Sequence, residues 1–169
     1  MSEFQGRVVA VTGANRGIGR GIAEAFAAAG ATVAVLTRSL DAGEVAAKEI
    51  GNGARAFRLD VSDFDTVEPA FQGVMEAFGR LDVLVNNAGI TRDNLALRMK
   101  TEDWRAVIDA NLTGAFLCAK AALRPMMKAR RGSVVNITSV VAGTGNPGQP
   151  NYCAAKAGLE GLTRSMALE

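Results

Sequence analysis

Five short apolar runs rich in β-branched residues, separated by longer amphipathic stretches, constrain this chain more than any other feature it has. Val8 to Thr12, Thr32 to Thr37, Ala54 to Asp60, Leu81 to Asn86 and Ser133 to Ile137 read as strands. Apolar spacing predicts helices from Gly17 to Ala29, Asp41 to Ile50, Asp63 to Phe78, Thr101 to Met127 and Tyr152 to Leu168. Strands that alternate with helices in this way form a parallel sheet covered on both faces, so the expected fold class is α/β. Gly30, Gly51 and Gly79 fall where helix ends favour a left-handed residue, and Ser39, Ser62, Thr101 and Asn151 are candidate N-caps. No internal repeat, low-complexity tract or linker divides the sequence, and a single domain over residues 1–169 is expected.

A chain of 169 residues can bury roughly 70% of its unfolded surface, so it needs neither staple nor metal to hold a core. Its 19 Lys and Arg against 17 Asp and Glu leave a net charge of +2, without the basic surface that a nucleic-acid partner requires. Histidine is absent and Cys118 and Cys153 are the only cysteines, which argues against a metal site and against a disulfide framework. A reducing cytoplasm is the expected compartment. Residues 1 to 7 lack a basic start followed by a long apolar stretch, and no later apolar run approaches the ~18 residues of a membrane span, so no membrane partner is expected.

Directly after the first strand comes Thr12-Gly13-Ala14-Asn15-Arg16-Gly17-Ile18-Gly19, opening into a helix. Glycines let a backbone turn sharply and approach a pyrophosphate, whose charge then faces the unpaired N–H groups of the helix start. The spacing is Gly-x3-Gly-x-Gly, and such loops also arise for purely conformational reasons. No Gly-Lys-Ser/Thr closes the motif, which disfavours a nucleoside triphosphatase. The second strand ends in Leu36-Thr37-Arg38-Ser39, without the carboxylate that would bind the ribose hydroxyls of NAD. Arg38 and Arg16 could instead pair with the 2′-phosphate of NADP(H); the alternative is that both are simply solvated.

Tyr152 and Lys156 lie four residues apart on the last predicted helix and share one face. An ammonium about 4 Å from a phenol in a partly screened site contributes up to about 4 kcal/mol, enough to make the phenol an effective proton donor near neutral pH. Tyr-x3-Lys pairs are usually structural, so the company they keep matters. Ser139 stands just after the fifth strand, in a loop expected to meet ligand. Asn86-Asn87-Ala88-Gly89 closes the fourth strand beside the same crevice, and Asn111 is an amide inside a long helix, where it is neither a good helix former nor an obvious core residue.

In these motifs the chain resembles the short-chain dehydrogenase/reductase family, from the first strand to Glu169. The resemblance implies a Rossmann-like, doubly wound sheet of order 3-2-1-4-5. It implies Tyr152 as general acid, Ser139 orienting a substrate carbonyl, Lys156 assisting the phenol and binding nicotinamide ribose, and Asn111 holding a water of a proton relay. Gly13, Gly17 and Gly19, in the loop with Asn15, Arg16 and Ile18, would line the pyrophosphate. Asp60 and Val61 would meet adenine, and Asn87, Ala88 and Gly89 would support the adenosine side. Asn86 to Asn94 and Gly148 to Tyr152 are most similar to the branch of the family that reduces 3-oxoacyl thioesters of acyl carrier protein or CoA in fatty-acid synthesis. Two alternatives stay open: a relative acting on another ketone or alcohol, and a nucleotide-binding module without catalysis.

Lys128, Arg130 and Arg131 could receive an acidic carrier protein or could merely complement a helix C-terminus. The helices from Thr101 and from Tyr152 carry small and apolar residues on more than one side, which suits a homo-oligomer, dimer or tetramer, as well as burial within one protomer. Family members usually continue for about another half-domain, so a sixth strand, a substrate-covering segment and a last strand are expected to be missing, leaving the fifth strand as an exposed edge.

Overall fold

Val8–Thr12 (β1) is buried along its whole length, which its unbroken VVAVT sequence requires of a central parallel strand. In the computed structural model, which describes residues 3–169, β1 is flanked by β2 (Thr32–Thr37) and β4 (Val83–Asn86). Beyond them lie β3 (Arg55–Arg58) and β5 (Ser133–Asn136), giving one all-parallel sheet of order β3-β2-β1-β4-β5. The Rossmann-like α/β fold expected from the sequence is therefore the fold observed.

The period of two along β1 sorts its side chains between two cores. Val9 and Val11 join Val33, Val35 and Ala23 beneath α1 (Gly17–Ala28) and α2 (Leu40–Ile50). Val8 and Ala10 join Leu36, Leu84, Phe71 and Cys118 on the face covered by α3 (Val67–Phe78) and α5 (Gly114–Ala129). Gly30, Gly51 and Gly79 all take positive φ at helix ends, as the sequence suggests. Ser39 caps α2 by accepting the Ala42 N–H.

The structure corrects several boundaries. The helix expected from Thr101 to Met127 is α4 (Thr101–Ile108), a π-turn (Asp109–Thr113) and then α5. The third helix begins at Val67 after a 3-10 turn over Phe64–Thr66, and Pro69 sits in its first turn, where a missing N–H costs little. The last helix, α7, runs Pro150–Met166, with Gln149 rather than Asn151 at its cap. Ser62 and Thr101 are not caps either: Asp63 and Lys100 hold those positions. A 3-10 turn at Ala96–Arg98 and the four-residue α6 (Val141–Thr144) have no counterpart in the sequence reading.

The continuous helical stretch Thr101–Ala129 spans 29 residues and reaches a mean hydropathy of 1.3 over 18 of them, long and apolar enough to cross a membrane, contrary to the sequence reading. Half of that window is buried inside the protein, so packing on the sheet accounts for its apolarity. At the end of the sheet, β5 pairs with β4 alone among the described residues and its Val135 is 43% exposed, the open edge foreseen above.

Asp82 ties the amino ends of three strands together. Its carboxylate accepts the Val8 N–H (2.9 Å) and a two-pronged Arg80 fork (2.6 and 2.7 Å), with Arg131 at 3.7 Å, while its carbonyl accepts the Ser133 N–H. Burial alone would raise the carboxyl pKa, but the Arg80 hydrogen bonds, the Val8 N–H and the two guanidinium charges together hold it below the usual value. A depressed folded pKa means that this stabilisation is complete above the unfolded value of about 3.9 and is lost as pH falls through the folded one. Asp82→Asn should therefore lower stability by about 1–3 kcal/mol at pH 7, and in urea melts the gap to the parent protein should shrink as pH falls below the unfolded value of about 3.9 and close once the folded carboxyl is protonated. A gap independent of pH would contradict this role.

Candidate active site

The carboxyl ends of β1, β2 and β4 open into a crevice of ≈ 680 Å³. Its floor is the turn after β1, where Gly13 (φ 67°) and Gly17 (φ 56°) adopt the left-handed conformation. Gly13 donates its N–H to Leu36 O, which anchors the turn to β2. A Cβ on Gly19 would run into Gly13 O and the Asn87 amide, so a side chain there is incompatible with the turn. Thr12, buried at the end of β1, accepts the N–H groups of Asn87 (3.0 Å) and Ala88 (2.9 Å), while Asn87 Nδ2 donates to Thr12 O (2.9 Å). These bonds fix the glycine turn against the segment that leaves β4.

Helix α1 starts at this turn with no side-chain cap on its first N–H groups and no acidic residue in its first turn. A Cβ on Gly17 would meet nothing within 4 Å, so a ligand can approach the helix start closely. Arg16 and Arg38 line the same crevice and are exposed; among the described residues neither forms an ion pair. Free N–H groups at a helix start, backed by two unpaired guanidinium groups, suit a ligand with several phosphates.

Twelve of the positions expected to bind the cofactor line this crevice: Gly13, Asn15, Arg16, Gly17, Ile18 and Gly19 from the turn, Arg38 just after β2, Asp60 and Val61 just after β3, and Asn87, Ala88 and Gly89 after β4; Tyr152 and Lys156, expected there too, do not. Thr37, Ser39, Leu59, Ser62 and Ile90 also line it and were missed. Thr37 donates its hydroxyl to Asn15 Oδ1 (3.1 Å), a role signalled in sequence only by a polar residue ending an apolar strand.

Asn111, Ser139, Tyr152 and Lys156 do not line the crevice; Asn111 and Lys156 lie just beyond Gly89. Lys156 is 4% exposed, and its ammonium donates to Ile137 O (2.6 Å) at the end of β5 and lies 5.6 Å from the Tyr152 ring centroid. Burial pushes the Lys156 pKa down. Asn111, inside the π-turn and 1% exposed, both accepts the Ile90 N–H and donates to Ile90 O, each at 2.8 Å. A Cβ on Gly89 would strike Asn111 Oδ1 and come within 4.0 Å of Lys156 Nζ, so these three residues adjoin. Ser139 lies two residues beyond Ile137, and its hydroxyl accepts the Val141 N–H at 3.4 Å. Cys118 is not a nucleophile, because burial pushes its thiol up to about 12. A second cavity of ≈ 480 Å³, between α5, β5 and α7, is lined by residues such as Met126, Met127, Val134 and Met166 together with Arg130 and Arg131, and holds none of the candidate catalytic or cofactor-binding residues.

The family model for short chain dehydrogenase matches residues 7–169, and the chain belongs to that family. It is thus an oxidoreductase acting on CH–OH groups, with NADP(H) as its expected cofactor. Similar proteins include the 3-oxoacyl-[acyl-carrier-protein] reductase of Synechocystis sp., 50% identical over all of this chain and 70% of the relative. The 3-oxoacyl-[acyl-carrier-protein] reductases FabG of Haemophilus influenzae and Escherichia coli are 47% and 46% identical over 98% of this chain, covering 69% and 68% of their own lengths.

Gly19→Ala should lower the affinity for NADPH by at least about 10-fold, as its methyl group forces the phosphate turn open, and should cost roughly 1–3 kcal/mol of stability. Isothermal calorimetry and denaturant melts measure both, and unchanged affinity would show that the turn does not contact the nucleotide.

Proposed function

We propose that this protein uses NADPH to reduce a 3-oxoacyl thioester, carried on acyl carrier protein or CoA, to the 3-hydroxyacyl product in cytoplasmic fatty-acid synthesis. Residues 1–169 would supply the nucleotide-binding and catalytic residues of a single domain that continues beyond them, in a homo-oligomer. The observation that carries the reading is the buried Lys156 ammonium beside Tyr152, where Gly89 of the crevice adjoins both Lys156 and Asn111. The names of the three relatives support the substrate class.

In this reading Gly13, Gly17 and Gly19 let the pyrophosphate reach the start of α1, with Asn15 and Ile18 shaping the loop. Arg16 and Arg38 take the 2′-phosphate, Asp60 and Val61 the adenine, and Asn87 to Gly89 the adenosine side. NADPH, when bound, supplies the hydride that adds to the ketone carbon. Ser139 holds the ketone oxygen by hydrogen bond, and Tyr152 delivers its phenolic proton to that oxygen. The Lys156 charge stabilises the phenolate left behind and its side chain reaches the nicotinamide ribose. Asn111, whose amide already holds Ile90, uses its remaining hydrogen-bonding capacity for the water through which the proton is replaced. Lys128 and Arg130 provide positive charge for an acidic carrier, whereas Arg131 is partly engaged with Asp82.

With acetoacetyl-CoA as substrate, NADPH oxidation should fall at least about 100-fold in Tyr152→Phe while NADPH affinity stays within a few-fold; a full rate in the variant would rule out the phenol as proton donor. Arg38→Asp should raise KM for NADPH far more than for NADH, and equal changes for both would remove the 2′-phosphate assignment.

A further inference from the structure

Asn151, like Asn86, is a polar residue whose burial the chemistry above leaves unexplained, and of the two it is the one beside Tyr152. It immediately precedes Tyr152 and is 0% exposed. Its Nδ2 donates to Arg92 O (2.9 Å) and, more weakly, to Asp103 O (3.4 Å), and its Oδ1 accepts the Tyr152 N–H (2.8 Å). One amide thus bridges the first turn of α7, the first turn of α4, and the irregular segment that runs on from Gly89. That segment is held two residues earlier by Asn111, through both backbone groups of Ile90. Two outer bonds run parallel to the same seam: Asn94 N–H to Gly148 O (2.8 Å) and Gln149 Nε2 to Asp93 Oδ2 (2.9 Å).

A buried amide that spans three backbone groups on three separate segments does more than end a helix. A Ser or an Asp at the cap position would serve capping alone, yet the cap residue of α7, Gln149, makes no side-chain capping bond and it is Asn151, inside the first turn, that accepts the Tyr152 N–H. What the bridge fixes is the height and rotation of the first turn of α7, and so the place of the Tyr152 ring relative to the segment that closes the cofactor crevice. Lys156, one turn further on, is anchored independently on Ile137 O, so the phenol and the ammonium are positioned by different supports.

We infer that Asn151 is a positioning residue for the Tyr152 phenol, acting by locking the start of α7 to the Arg92 and Asp103 carbonyls. The inference rests on the reading of Tyr152 as proton donor. Misplacing a reacting group by about 1 Å costs up to about 100-fold in rate, whereas the nucleotide turn lies on other elements and should not sense the change.

Asn151→Asp tests this, because it keeps the acceptor for the Tyr152 N–H but turns the donor toward Arg92 O into a second acceptor. At pH 8 kcat should fall at least about 10-fold, with the NADPH dissociation constant within twofold of the parent. Towards acid pH the new carboxyl becomes protonated, can donate to Arg92 O, and the ratio of variant to parent kcat should rise. Tyr152 is the only tyrosine, so in 13C-tyrosine-labelled protein its single ring signal should move in the variant at pH 8 and return towards the parent position on acidification. This second readout needs no turnover. A parent protein inactive on every ketone, but with that signal response, would defeat the proposed reaction and leave the positional lock standing. A parent-like kcat and ring signal in Asn151→Asp would overturn the lock, as would kcat, NADPH affinity and melting temperature all falling together without recovery in acid. Should Asn151→Asp not fold, Asn151→Ala, which removes the donor to the Arg92 and Asp103 carbonyls without burying a charge, takes its place: a shifted tyrosine signal with unchanged NADPH affinity supports the lock and an unmoved signal overturns it.

Discussion

Burying the Lys156 ammonium is the constraint around which the rest of the structure is arranged. Removing a charge of that size from water costs several kcal/mol, and a single carbonyl, that of Ile137, is its hydrogen-bond partner among the described residues. Burial lowers the Lys156 pKa for the same reason. A stable fold with no use for the charge would sooner place an apolar residue there. The arrangement is sensible if a second partner for the ammonium arrives from outside, at the point where Gly89 has no side chain and the crevice comes closest.

The sheet makes that point available. Parallel strands end their backbone polarity at one rim, and helices that start there offer free N–H groups to whatever occupies it. Thr12, Asn87 and Asn111 then convert a loose rim into a fixed one, each by satisfying backbone groups of a neighbouring segment. The π-turn around Asn111 belongs to the same logic. One extra residue in the helical turn accompanies an amide that faces Ile90 instead of the helix surface, and such turns recur at functional sites because they trade helix regularity for a side chain's direction.

Much of this was legible in the sequence, and the exceptions share a cause. The β1 run, the alternation of strands and helices, and the Gly13 to Gly19 turn are local patterns, and each maps directly onto an element or a wall of the crevice. The π-turn was invisible because the helix carries small and apolar residues on more than one side, so the phase skip of about 100° made by one extra residue leaves no mark in the pattern. Asn151 was misjudged as a cap because cap preference is statistical, while its actual partners, the carbonyls of Arg92 and Asp103, lie 59 and 48 residues away in sequence. Thr12 and Thr37 were overlooked as strand residues, although a hydroxyl at the carboxyl end of an otherwise apolar strand is a signal that could have been used. The short α6 carries too few residues to show any periodicity.

The central claim is spatial: a nicotinamide ring should rest against Tyr152 and Lys156 when its adenine lies near Asp60 and Val61. Because the chain has one tyrosine, nuclear Overhauser contacts between the Tyr152 ring protons and the nicotinamide of bound NADPH measure this directly. The account predicts contacts to Tyr152 from the nicotinamide and to Val61 methyl groups from the adenine in the same complex. Bound NADPH that touches Val61 but shows no contact with Tyr152 would contradict it.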